Sequence, residues 1–188
     1  SRSKSLCNHF HVSLQSGSDS VLNRMNRHYT AEEYFRTLKR LRSCFPDCAI
    51  TTDIMIGFPG ESDEAFEESI DFVRQCEFAK LHVFPYSARP GTAAAGFAEQ
   101  IDKSKKRERM RRMLSLAEEM NRLFLLRQCG KLTRVLLEEP CPMGGMQGYA
   151  PNYARIAVPE AGQELRGEII DVRVRAVKGD YCTGELAH

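Results

Sequence analysis

Three strand-sized runs, each followed by a helical segment, open the chain, and this alternation restricts its fold more than any other feature. The runs are Asn8 to Gln15, Ala49 to Phe58 and Lys80 to Tyr86. Thr30-x-x-Glu33 is a capping box that starts a helix reaching about Cys44, just ahead of Pro46. Ser62, followed by Asp63 and Glu64, caps a second helix ending near Cys76. A third helix is predicted from about Asp102 to Cys129, closed by Gly130, with an apolar stripe of Met110, Met113, Ala117, Met120 and Phe124. Strands joined through helices run parallel, because such crossovers are right-handed. A complete eight-stranded barrel of this kind takes about 250 residues. Three units over residues 1–130 therefore predict half of a partial TIM-like (βα) barrel.

After Gly130 the texture changes. Short alternating runs at 133–137, 147–149, 153–158, 168–177 and 181–186 are divided by Gly and Pro. Five short strands in so few residues predict a small all-β barrel of OB type over residues 131–188. The fold class is thus α/β followed by a small all-β domain. No internal repeat is visible.

Composition removes several function classes. The longest apolar clusters are strand-sized, so no membrane partner is expected. Lys and Arg number 27 against 25 Asp and Glu, a net charge of +2, too near neutral for a strongly basic nucleic-acid binder. Seven cysteines without a C-x-x-C point to reduced thiols and a cytoplasmic protein, and no metal site is expected among them. The chain lacks an initiator Met and starts a few residues before its first strand, which suggests a piece of a longer protein whose amino-terminal part is missing.

Parallel strands covered on both faces should be apolar at both parities. Here Phe10, Val12 and Leu14 alternate with His11, Ser13 and Gln15. Ile50, Ile54 and Ile56 alternate with Thr51, Asp53 and Met55, and Leu81 and Val83 with His82, Phe84 and Tyr86. The apolar parity belongs under the helices. The polar parity, with His11, Gln15, Asp53, His82 and Tyr86, is expected on the opposite side, lining a lumen that holds a polar ligand. Two glycine-bearing loops, Gln15 to Asp19 and Gly57 to Glu61, follow strands at the carboxyl ends where α/β folds place their chemistry. Their glycines are expected to let backbone groups approach a ligand.

Taken together, Leu14-Gln15-Ser16-Gly17-Ser18, Met25-Asn26-Arg27, Thr52-Asp53-Ile54-Met55-Ile56-Gly57-Phe58-Pro59-Gly60-Glu61 and Tyr86-Ser87-x-Arg89-Pro90-Gly91-Thr92 resemble the radical S-adenosylmethionine methylthiotransferases. The resemblance covers nearly the whole chain, and its barrel-like tail resembles their RNA-binding TRAM domain. His82 to Ser87 and Gly148 to Tyr153 are similar to the branch acting on threonylcarbamoyladenosine beside the tRNA anticodon, with the isopentenyladenosine and ribosomal-protein branches as alternatives.

The resemblance implies S-adenosylmethionine as cofactor, with Gln15, Ser16, Gly17 and Ser18 on its ribose and methionine side. It implies that Gly57, Phe58, Pro59, Gly60 and Glu61 pack against adenine, and that Asp53 orients groups from the lumen. Tyr86 and Arg89 would face substrate. On the tail, Tyr149, Tyr153, Arg155, Arg173 and Arg175 would form a stacking-plus-phosphate surface for tRNA. Family members hold a 4Fe-4S cluster with Cys-x-x-x-Cys-x-x-Cys, which this sequence lacks. Cys44 and Cys48 have the first spacing but continue to Thr51. The chain is therefore expected to bind no cluster and to be inactive alone. The basic run 103–112 reads as a solvated helix face, with a phosphate-contacting ridge as its rival, and the tail carries seven Lys and Arg against eight Asp and Glu. Two other readings are a non-catalytic RNA-binding module on a half-barrel scaffold and a partial-barrel hydrolase using Asp53 and His82.

Overall fold

The computed structural model describes residues 6–187. The chain divides into two compact units. An α/β unit comprises His11–Cys44 and Ile50–Met120, and a barrel unit comprises residues 6–10, Phe45–Ala49 and residues 121–187. The grouping thus changes within the long helix, ahead of the boundary near residue 130 that composition suggests.

Up to residue 126 the order along the chain is β1 (His9–His11), α1 (Asp19–Arg24), α2 (Ala31–Cys44), β2 (Ala49–Ile56), α3 (Asp63–Cys76), β3 (Lys80–Pro85) and α4 (Lys103–Leu126). The sheet order is β1-β2-β3. β2 and β3 run parallel, with Asp53 opposite His82 and Met55 opposite Phe84. Local signals explain the helix starts. Thr30 N–H donates to Glu33 Oε2 (2.9 Å) while Glu33 N–H donates to Thr30 Oγ1 (3.2 Å), a reciprocal capping box. Ser62 Oγ accepts from Ala65 N–H at 3.1 Å, and the helix it caps starts with Asp63 and Glu64.

Two features differ from expectation. β1 is three residues long rather than eight, because Gln15 takes a left-handed backbone (φ 72°) and meets β2 only through a single bridge to Ile54. The segment after it forms the six-residue α1, which buries Val21 and Leu22. The aliphatic parity forms the core: Leu14, Ile50, Ile54 and Ile56 are at most 1% exposed.

The barrel unit closes five strands, β4 (Leu132–Pro140), β5 (Met146–Tyr149), β6 (Arg155–Val158), β7 (Ile169–Lys178) and β8 (Tyr181–Leu186). Their order around the barrel is β4-β5-β6-β8-β7. The β6–β8 pair is parallel and the others antiparallel. This is the small OB-like barrel expected from the spacing of the runs. Val135, Leu137, Met146, Ile156, Val158, Val172, Val174 and Cys182 fill its interior with no measurable exposure. Gly148 admits a neighbouring strand: a Cβ there would collide with the Leu136 carbonyl oxygen.

Candidate functional site

Strand parity gathers His11, Thr51, Ser13, Asp53 and His82 on one face of the three-stranded sheet. His11 Nδ1 lies 3.0 Å from Thr51 Oγ1, and its Nε2 lies 3.1 Å from Asp53 Oδ2. Ser13 Oγ donates to the same carboxylate oxygen at 3.1 Å. The His82 ring centroid stands 6.0 Å from that of His11. The His11 and Asp53 side chains keep 40% and 29% of their surface exposed. These groups can donate and accept hydrogen bonds from a polar molecule lying on the sheet, while their mutual bonds fix their orientation.

Toward the carboxyl end of the same face the character changes. Tyr86 shares the parity of His82, yet it is only 9% exposed and sits with Val21, Phe58 and Ala65 in an apolar cluster. Met25, Met55, Ala94 and Phe97 pack against that cluster. The expected polar lining therefore stops short of Tyr86, because α1 and the turn at Ala93–Gly96 supply apolar cover there. The Tyr86 hydroxyl has no hydrogen-bond partner among the described residues, and a buried hydroxyl left so is costly. A ligand atom reaching this end would find a ready donor.

The two loops at the strand ends are tied to their own helices. Ser16 Oγ and Gly17 N–H both meet Ser69 Oγ on α3 at 3.1 Å. Ser18 Oγ donates to Glu68 at 2.5 Å. A Cβ on Gly17 would stand 2.8 Å from the Ser69 Cα. The space next to Gly57 is filled by Lys106, and that next to Gly60 by Arg24. All three glycines thus serve close approach by protein, a role that the ligand-approach expectation did not include. Pro59 O accepts from Arg24 Nε at 3.0 Å. Glu61 is buried, and burial raises its carboxyl above the ordinary range while Arg109 and the Gly57 N–H pull it down.

The remaining predicted site residues lie apart from this face in the sequence. Arg89 is exposed in the loop after β3, where its carbonyl accepts from Thr92. In the barrel unit Tyr149 and Tyr153 are 40% and 60% exposed, with ring centroids 6.0 Å apart. His9 stacks on Tyr153 at 4.6 Å. Arg155 pairs with Asp180 at 2.8 Å and lies over the Tyr181 ring. Arg175 pairs with Glu185, and Arg173 donates to the Gly130 carbonyl at 3.4 Å. Of the three arginines expected to face phosphates, Arg155 and Arg175 are thus held by neighbouring carboxylates, which weakens the field they offer.

Residues 2–73 match the family model of the radical SAM superfamily. A threonylcarbamoyladenosine tRNA methylthiotransferase of Bacillus subtilis is 34% identical over 98% of this chain and 42% of its own length. That of Thermotoga maritima is 39% identical over 94% and 40%. A tRNA-2-methylthio-N(6)-dimethylallyladenosine synthase of Maricaulis maris is 38% identical over 95% and 39%. The chain is similar to radical SAM tRNA methylthiotransferases over most of its own length. It spans about two fifths of the length of these curated relatives, and the two substrate branches are matched at similar identity.

For a methylthiotransferase relative, the fit to cofactors differs between the two groups expected. The accessible Asp53 carboxylate and the orphaned Tyr86 hydroxyl suit the polar atoms of S-adenosylmethionine. Among the described residues no three His, Cys, Asp or Glu side chains converge as metal ligands.

One part of this unit went unread in the sequence. The basic run pairs with the acidic start of α3: Lys105 with Asp63 (2.7 Å), Arg109 with Glu61 and Asp63 (both 2.7 Å), Arg112 with Glu67 (2.6 Å). It is neither simply solvated nor a free phosphate ridge. The matching one-turn spacing of charges at 63 and 67 and at 105, 109 and 112 was the available signal.

Proposed function

We propose that the chain is part of a tRNA methylthiotransferase, with S-adenosylmethionine bound on the polar sheet face of the α/β unit. Asp53, oriented by His11 and Ser13, takes the ribose hydroxyls or amino group. Gln15, Ser16, Gly17 and Ser18 border the ribose and methionine side, and Gly57 to Glu61 with Tyr86 border adenine. In such an enzyme the cofactor supplies the radical chemistry that replaces the C2 hydrogen of a hypermodified adenosine with a methylthio group. The protein's part is to orient and to shield. The barrel unit, read as a TRAM domain, offers Tyr149 and Tyr153 to unpaired bases, with Arg155, Arg173 and Arg175 for phosphates. The branch acting on threonylcarbamoyladenosine is favoured by residues 82–87 and 148–153.

One observation carries this reading: a hydrogen-bonded His11–Asp53–Ser13 group on an accessible sheet face, in a chain related to methylthiotransferases. The cluster ligands are assigned to residues outside this chain, so the chain alone is expected to be inactive. Titration with S-adenosylhomocysteine by calorimetry tests the site. The chain should bind weakly, and Asp53→Asn should weaken binding about tenfold. Undetectable binding at millimolar ligand sinks the cofactor site. Anaerobic reconstitution with iron and sulfide should give no stoichiometric cluster, and a cluster that cleaves S-adenosylmethionine would overturn the assignment of its ligands.

A further inference from the structure

An arginine heads the buried stripe of α4. The positions facing inward are Arg109, Met113, Leu116, Met120 and Phe124, each at most 6% exposed. Arg109 retains 3% of its side-chain surface and its partner Glu61 retains 1%. A buried guanidinium is tolerated only when paired and hydrogen-bonded. Arg109 meets that condition fully. Nη1 donates to the Glu61 carbonyl (2.9 Å) and to Glu61 Oε2 (2.7 Å), and Nη2 donates to Asp63 Oδ1 (2.7 Å). The Phe66 ring lies under the guanidinium at 5.2 Å.

The carboxylate it holds is itself a clasp. Glu61 Oε2 accepts from Gly57 N–H at 2.9 Å, so one oxygen joins the first and last residues of the loop after β2. One turn earlier on α4, Lys106 Nζ donates to the Tyr86 carbonyl at 3.2 Å and stands 5.2 Å over the Tyr86 ring. Its stem occupies the space where a Gly57 Cβ would come within 2.5 Å of Lys106 Cγ. Two cations on successive turns of one helix therefore fix the loop after β2 and the end of β3.

Stability alone does not account for this arrangement. An apolar pair of similar volume in place of a buried ion pair is commonly neutral or stabilising, and Met113, Leu116 and Met120 show what the stripe otherwise uses. What the pair supplies is direction: it aims the Gly57 peptide and the 57–61 backbone. We infer that Arg109 and Lys106 are positioning residues, which hold residues 57–61 and Tyr86 in the arrangement that receives an adenosine-bearing ligand without touching it. This rests on the cofactor reading above.

The test uses the whole chain, with three measurements per variant: thermal midpoint, affinity for S-adenosylhomocysteine, and amide exchange at residues 57–61 and 86. The double variant Glu61→Leu/Arg109→Leu should keep its midpoint within a few degrees. Its affinity should fall roughly tenfold, as expected when the competent loop is populated about a tenth of the time, and its 57–61 amides should exchange faster. Lys106→Met should weaken binding about threefold by the same logic. Arg109→Lys should recover part of the affinity. Wild-type affinity and exchange in a folded double variant overturn the inference. If the double variant does not fold, Lys106→Met and Arg109→Lys decide, and wild-type behaviour in both overturns it. If the unaltered chain binds no S-adenosylhomocysteine, the cofactor reading fails and exchange alone decides: unchanged protection at 57–61 rejects the positioning role, and faster exchange sustains it.

Discussion

The barrel interior is filled by apolar side chains, whereas the three-stranded sheet leaves histidines, a serine and an aspartate on one of its faces. In the barrel, Val172 and Val174 point in while Arg173 and Arg175 point out, and the buried Gln147 donates to Glu139 Oε1 at 3.0 Å. In the sheet, His11 and Asp53 bond to one another across strands at the edge of solvent. The sheet face bears partly exposed polar groups that bond to one another, and the proposed cofactor site is built on them.

Thiol chemistry gives the largest contrast available within each unit. Cys44 in the α/β unit and Cys7 in the barrel unit are exposed, while Cys76 and Cys182 are buried. Burial pushes both of the latter thiols up to about 12, so their thiolates are roughly a thousandfold rarer than for an ordinary thiol. A disulfide reagent followed by peptide mapping should label Cys7 and Cys44 at once and leave Cys76 and Cys182 unmodified until unfolding. Equal labelling of the four would show that the two interiors are not as described.

Packing sharpens the comparison next. Gly148→Ala should cost about 3 kcal/mol, because the added Cβ meets the Leu136 carbonyl and lies 3.0 Å from the Leu137 Cα. Denaturant unfolding monitored at barrel residues should show the lowered midpoint. In the α/β unit, Thr30→Ala removes one half of a reciprocal cap and should cost about 1 kcal/mol, with faster amide exchange confined to the first turn of α2.

Acid gives the smallest effect. Hydrogen bonds from Lys105 and Arg109 lower the Asp63 carboxyl, and one from Arg112 lowers that of Glu67. A carboxyl lowered on folding stabilises the fold above its unfolded value, and that contribution disappears as pH falls through the folded value. Glu61, raised by burial, runs the other way and costs stability as pH climbs past its ordinary range. The α3–α4 seam should therefore loosen on acidification below the usual carboxylate range, read as faster exchange in α4. In the barrel only the Arg175–Glu185 pair should respond among the described ion pairs with a lowered carboxyl. Arg112→Gln should flatten the response in α4.

Elements governed by local signals were legible in the sequence. The five barrel strands follow from alternation bounded by Gly and Pro, and two helix starts follow from Thr30 with Glu33 and from Ser62. Strand parity places His11, Asp53 and His82 on one face because it needs only regular strands. It missed the cover over Tyr86, since that depends on α1 and on the turn at Ala93–Gly96, which are short and carry weak local signals. Likewise the role of Arg109 was hidden: its partner lies 48 residues away, and a lysine- and arginine-rich helix reads as solvated until the opposing charges are placed. The glycines at 17, 57 and 60 were recognisable as special, but what fills the space beside each comes from a distant side chain or helix.

Closure of the barrel also sets how quickly this part of the chain can find its structure. The seam that closes it joins β4 to β7, Leu132 to Arg173 and Val135 to Ile170, and the parallel β6–β8 pair cannot be made by a hairpin. Neither contact repays its loop-closure entropy until most of the intervening strands are in place. Folding of the barrel should therefore run on the millisecond-to-second scale typical of domains dominated by distant strand pairings. During that interval β4 and β7 expose unpaired edges, and Ile169 to Val172, with two β-branched residues at its head, is the stretch most in need of rapid capture by its partner strand.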